Sequence, residues 1–239
     1  MIAGRPPNRY ALLNPLSFIC QIDIWLTMKK SIDYSLYLVT DRPLSLGRSL
    51  MEVMEKAANG GTTVVQLREK ECDSRTFVEL ARAAKKLLDA KGVPLIINDR
   101  ADIALAVGAA GLHIGQTDMP YQDARRIMGP DAIVGLSVEN RDQVKEAASL
   151  DADYLGVGPI FATQTKPDAA PAIGLGGLAE IRTITKTPLI AIGSVNLSNA
   201  AEVIRAGADG LAVVSAICSQ PDIEQASRNL AAAIQKARQ

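Results

Sequence analysis

The sequence predicts a single (β/α)8 barrel, and three observations carry that expectation. From Leu36 onward, short β-branched runs alternate with amphipathic stretches, the pattern of a parallel α/β sheet. Eight such pairs fit into roughly 205 residues with no extra domain between them. A glycine-bearing turn recurs before strands, as Asn59-Gly60-Gly61, Gly108-Ala109-Ala110-Gly111 and Gly207-Ala208-Asp209-Gly210. Each reads as a glycine-capped helix end.

The strands are expected at Leu36 to Thr40, Thr63 to Arg68, Leu95 to Asn98, Leu112 to Gly115, Ile133 to Ser137, Tyr154 to Gly158, Leu189 to Gly193 and Gly210 to Ser215. Helices fill the gaps. In the second, Phe77, Leu80, Ala81, Ala84, Leu87 and Leu88 share one face, and Ile223, Leu230 and Ile234 do the same in the last. An open doubly wound sheet is the alternative. It would normally carry a Gly-x-Gly-x-x-Gly turn after the first strand, where this chain has Thr40-Asp41-Arg42-Pro43.

The barrel is expected to span 34–239 and to follow a non-domain extension over 1–33. That extension has an apolar run, ALLNPLSFICQIDIWLTM, interrupted by Pro15, Gln21 and Asp23 and followed by no small-residue cleavage site. It is too polar and short for a membrane span, and Met28 is a second candidate start. Lys plus Arg and Asp plus Glu both number 26, so no net field draws the chain to nucleic acid or an anionic membrane. Hydrophobic residues make up 48% and aromatics 4%, which leaves aliphatic side chains to pack a sheathed parallel sheet.

Cys20, Cys72 and Cys218 are widely spaced and form no metal-binding pattern, which fits a reducing, cytoplasmic setting. Cys72 and Cys218 read as inert. The single histidine, His113, lies between Leu112 and Ile114 in a strand and reads as hydrogen-bonded and structural.

Barrel chemistry belongs at the C-terminal strand ends, and here those ends are polar. Period-two alternation sends Gln66 and Arg68 to one face and Leu67 to the helices. Asp99 and Asp118 leave neighbouring strands, about 4.8 Å apart in a sheet, and could share one magnesium ion, which takes one or two carboxylates plus phosphate oxygens. The ordinary alternatives are a helix cap for Asp99 and a turn before Pro120 for Asp118. Arg68, Lys70 and Lys166 together would clamp a diphosphate, although each alone is an ordinary surface charge. Gly193 and Val214-Ser215 lie at the ends of strands seven and eight, where barrels often bind phosphate. The loop Gly156 to Asp168, GVGPIFATQTKPD, supplies Thr163, Thr165 and Lys166. A loop of that length is usually either functional or disordered.

Four ordered motifs then resemble those of thiamine phosphate synthases: QLREK at Gln66 to Lys70, INDR at Ile97 to Arg100, GLHIGQTD ending at Asp118, and GVGPIFATQTKPDA through Ala169. The resemblance covers about Tyr37 to Ser215. It implies the barrel fold and a transferase joining a hydroxymethylpyrimidine diphosphate to a thiazole phosphate, with release of pyrophosphate. It assigns Gln66, Arg68, Lys70, Asn98, Ser137 and Lys166 to the pyrimidine diphosphate, with Leu67 and Glu69 in the same substrate-binding segment. Thr163, Gln164, Thr165, Gly193, Val214 and Ser215 fall to the thiazole phosphate, and Asp99 and Asp118 to one Mg2+. Arg68, Lys70, Lys166 and Ser137 are the catalytic candidates.

The implied mechanism is dissociative and needs no enzyme nucleophile. The partners are small molecules, with no nucleic acid and no membrane, and homo-oligomerisation is left open. Two positions depart from the family pattern. Ser194 follows Gly193 where two glycines are usual, and Glu139 stands where relatives often place histidine. The related thiazole tautomerase relies on a histidine in that region, so Glu139 argues against that activity. A barrel that binds these phosphates without turnover is the third reading.

Overall fold

The computed structural model describes residues 32–163 and 170–239, so the expected extension over 1–33 lies almost wholly outside the described residues. The strands are β1 (Leu36–Val39), β2 (Val64–Leu67), β3 (Leu95–Asn98), β4 (Gly111–Ile114), β5 (Ile133–Val138), β6 (Tyr154–Val157), β7 (Leu189–Ala191) and β8 (Gly210–Val213). They close in sequence order into one parallel barrel, with β1 pairing β8 through Leu36 and Leu211. The helices between them are α1 (Leu50–Asn59), α2 (Ser74–Asp89), α3 (Ala101–Val107), α4 (Tyr121–Met128), α5 (Arg141–Ala147), α6 (Gly174–Ile184) and α7 (Ala200–Arg205), followed by α8 (Ser215–Cys218) and α9 (Ile223–Ala237). The expected (β/α)8 architecture is the observed one.

Local chemistry explains the boundaries. Ser49, Asp73 and Asp222 accept hydrogen bonds from the amides of Glu52, Thr76 and Gln225, each capping a helix start. Gly61, Gly108 and Gly207 in the recurrent turn all have positive φ, which is why that turn repeats a glycine. Two strands stop two residues earlier than expected. Beyond β7, Gly193 and Ser194 take φ of 104° and 49°, which leaves the extended region. Beyond β8, Val214 and Ser215 turn directly into the short helix α8.

Alternation divides each strand between two environments. Leu36, Leu38, Val65, Leu67, Leu95 and Ile97 pack outward with Phe77, Ala81, Ala84 and Leu88 of α2 in a continuous aliphatic shell. Tyr37, Gln66, His113 and Tyr154 are also buried but lie outside that shell and line the cavity that opens from the barrel interior. A barrel interior is normally filled by branched aliphatic residues. Here aromatic and polar groups share that space. Gly135 makes room for them, because a Cβ at that position would lie 2.1 Å from Cζ of Tyr154.

Candidate active site

The strand ends surround a cavity of about 430 Å³. Of the residues singled out in the sequence, Gln66, Arg68, Lys70, Asn98, Asp99, Asp118, Ser137, Thr163, Gly193, Val214 and Ser215 line it. Leu67 and Glu69 do not. Leu67 is fully buried in the aliphatic shell, and Glu69 is ion-paired with Arg42. Gln164, Thr165 and Lys166 lie outside the described residues.

Asp99 sits where β3 meets α3, with φ of 61°. Its amide donates to the carbonyl of His113 over 2.8 Å, and the next amide, of Arg100, folds back to the carbonyl of Asn98 over 2.7 Å. A non-glycine residue held there stores strain, a pattern found at functional sites. Asp99 does not cap α3, whose N-cap position is Arg100 without a side-chain cap. Burial pushes the Asp99 carboxyl above its ordinary range, the ion pair with Lys70 opposes this, and the neighbouring Asp118 carboxylate raises it further. Asp118 does make the expected turn: its Oδ2 accepts from the amide of Gly115 over 2.7 Å. It combines that role with a place on the cavity wall.

Two crowded carboxylates in a partly buried mouth favour a cation between them. Among the described residues no group of three or more His, Cys, Asp or Glu side chains could hold a metal. A pair with room for waters and phosphate oxygens is the donor set that suits magnesium rather than zinc.

Arg68 and Lys70, the described cations of the proposed clamp, are already partnered. Arg68 bonds Asp41 over 3.1 Å, and Lys70 bonds Asp99. An incoming anion would therefore exchange partners with these carboxylates rather than meet bare charge. On the opposite side, the amides of Gly193, Ser194 and Ser215 donate to no group among the described residues. Gly193 is required there, since a Cβ would come within 2.6 Å of Pro159 Cα. Ser194 occupies a left-handed conformation, and its hydroxyl ties back to the carbonyl of Ala162 over 2.7 Å. The extra side chain thus anchors the start of the β6 loop.

Sequence reasoning gave no role to Tyr37, Asp41, Gln116 and Tyr154, which also line the cavity. Gln116 Nε2 donates to the Ser137 carbonyl over 2.5 Å. The available signal was alternation, because Tyr37 and Tyr154 lie on the inward face of their strands. His113 is hydrogen-bonded as expected, through Nδ1 to Tyr154 at 2.8 Å and through Nε2 to Ser137 at 2.9 Å. Cys218 is buried, and burial pushes its thiol up to about 11, consistent with an inert residue.

Burial lowers His113 from its ordinary value of 6.5 to about 4, with a smaller opposing pull from Asp118. Because the folded pKa is depressed, the contribution of neutral His113 is fully present above 6.5 and is lost as pH falls through about 4. The difference corresponds to about 3 kcal/mol. His113→Gln is expected to flatten the fall in stability across that window relative to wild type, as measured by urea unfolding at several pH values. Parallel slopes for the two proteins would refute the assignment.

Comparison with known proteins identifies the family. The family model described as thiamine monophosphate synthase matches residues 36–217. The thiamine-phosphate synthase of Syntrophomonas wolfei subsp. wolfei is 54% identical over 198 residues, covering 83% of this chain and 95% of that one. That of Chloroflexus aurantiacus is 52% identical over 203 residues, covering 85% and 94%. Among solved structures, thiamine phosphate pyrophosphorylase from Pyrococcus furiosus superposes with a TM-score of 0.80 at 36% identity, covering 86% of this chain and 97% of that one. A barrel whose strand ends gather these side chains, with such relatives along nearly its whole length, belongs to the thiamine monophosphate synthase family, transferases of thiamine biosynthesis.

Proposed function

We propose that this chain condenses 4-amino-2-methyl-5-(diphosphooxymethyl)pyrimidine with a thiazole phosphate, giving thiamine phosphate and pyrophosphate. The observation that carries the reading is the convergence of Arg68, Lys70, Asp99 and Asp118 on one wall of the cavity. Gly193, Ser194 and Ser215, whose amides donate to no group among the described residues, line the same cavity, so two anionic groups can be held together.

The pyrimidine-methyl carbon–oxygen bond breaks with its electron pair going to the diphosphate, and the thiazole nitrogen then donates its pair to the methylene carbon. No proton has to move to an enzyme base. Arg68 and Lys70 neutralise the departing diphosphate, with Lys166 assigned to the same task by resemblance. Gln66, Asn98 and Ser137 orient the pyrimidine diphosphate. Thr163, Gln164, Thr165, Gly193, Val214 and Ser215 hold the thiazole phosphate, which leaves the two reactants aligned rather than diffusing. Asp99 and Asp118 would hold one Mg2+, which when bound supplies charge neutralisation at phosphate oxygens.

The assigned partners are these small molecules, in the cytoplasm. Among the described residues no helix is long and apolar enough to cross a membrane. Mixing both substrates with magnesium and the purified chain is expected to yield pyrophosphate and thiamine phosphate in equal amounts. Binding of either substrate by folded protein with no product formed would overturn the reading and leave a non-catalytic barrel.

A further inference from the structure

Beneath the proposed diphosphate clamp, five side chains from five different strands form an unbroken row of hydrogen bonds inside the barrel. Gln66 Nε2 donates to Tyr37 Oη over 3.0 Å. Tyr37 and Tyr154 join through their hydroxyls at 2.7 Å. Tyr154 Oη meets His113 Nδ1 at 2.8 Å, and His113 Nε2 meets Ser137 Oγ at 2.9 Å. The four inner members are buried, with the two tyrosines each only 1% exposed, while Ser137 is part-exposed on the cavity wall.

Counting protons gives this row a direction. Burial pushes both phenols well above their ordinary range, so each keeps its single proton. His113 is buried with both ring nitrogens against hydroxyls and no carboxylate, so it carries one N–H. Tyr37 accepts from Gln66, which directs its own proton to Tyr154. Tyr154 then donates to Nδ1 of His113. The imidazole proton must sit on Nε2 and be given to Ser137. The Ser137 hydroxyl proton has no acceptor among the described residues and is available to the cavity, as is Oε1 of Gln66.

We infer that Tyr37, Tyr154 and His113 form a directional relay, as positioning residues that fix Ser137 as a hydrogen-bond donor and Gln66 as an acceptor toward bound ligand. The two ends are locked in opposite senses, since turning the Gln66 amide would reverse every bond to Ser137. The ligand group this suits presents a donor at Gln66 and an acceptor at Ser137. An amino-substituted nitrogen heterocycle has that character, whereas its oxo analogue reverses it. The match to the pyrimidine deepens the proposed function and rests on it; the relay itself does not.

The test uses the fact that the chain has one histidine. In untagged protein labelled with 15N-histidine, the ring nitrogens of His113 report its tautomer without interference. Wild type at neutral pH is expected to show the Nε2–H form alone. Tyr154→Phe, which keeps the ring and removes the donor to Nδ1, is expected to give a mixture of tautomers. It should also reduce the preference for the aminopyrimidine diphosphate over its 4-oxo analogue by about tenfold, the effect of one buried hydrogen bond. The Nδ1–H form or an imidazolium in wild type would overturn the relay. So would an unchanged tautomer and ligand preference in Tyr154→Phe. Should that variant fail to fold, the wild-type tautomer alone decides. An intact Nε2–H form in a protein that binds no aminopyrimidine supports the relay and counts against the proposed function.

Discussion

Asp99→Ala is expected to lower turnover by about a hundredfold or more, the scale on which one electrostatic partner of developing charge acts, while the protein stays folded. Two roles are lost together: a carboxylate proposed for the metal, and the group that holds Lys70 at the mouth. Asp99→Gly separates chemistry from strain. Glycine adopts the 61° φ of this position freely, so Asp99→Gly should be as inactive as Asp99→Ala but more stable by about 1 kcal/mol. Steady-state rates at saturating magnesium, read beside urea-unfolding midpoints, check both halves. Wild-type turnover in either variant would remove Asp99 from the site, and equal stabilities would remove the strain.

The second large effect is expected at a residue that bears no chemistry. Gly135→Ala places a methyl group 2.1 Å from Cζ and 2.5 Å from Oη of Tyr154. The ring cannot simply withdraw, because Tyr34 packs on it with centroids 5.0 Å apart and Tyr37 and His113 border it at 5.6 and 5.4 Å. Overpacking of this kind costs about 3 kcal/mol or more where neighbours cannot move. The measurable outcome is a lower midpoint of urea unfolding, and an unchanged midpoint would mean that the barrel interior is looser than these contacts imply.

The fold was largely legible because it is written in local signals. Alternation, amphipathic helices such as α2, and the recurrent glycine turn each depend on residues close together in the chain. The strand ends were harder. Gly193 looked extended from its β-rich approach, but it has positive φ and β7 ends early. Much of the cavity wall was legible through alternation and the ordered motifs, which brought Gln66, Arg68, Asp99 and Ser137 to one mouth.

What escaped were the partnerships between strands. Nothing near Arg68 in sequence announces Asp41, 27 positions away, and nothing near Ser137 announces His113. Aromatic residues in β-rich runs look like ordinary packing. Tyr37 and Tyr154 acquire a polar role only because β1 and β6 bring their hydroxyls together across the barrel. Leu67 shows the converse: it sits within a site motif, yet the pleat directs it into the aliphatic shell.

The pairing of Arg68 with Asp41 and Lys70 with Asp99 gives the mouth a built-in counter-charge. On the proposed reading, a single small anion would have to displace these carboxylates without offering either of them a new partner. A diphosphate arriving with a divalent cation brings both signs at once. The cation can satisfy Asp99 as the anion takes Lys70, and the exchange proceeds with neither charge left stranded. For the proposed reaction, discrimination between a metal-bound diphosphate and simpler ions would reside in the requirement that two opposite charges arrive together.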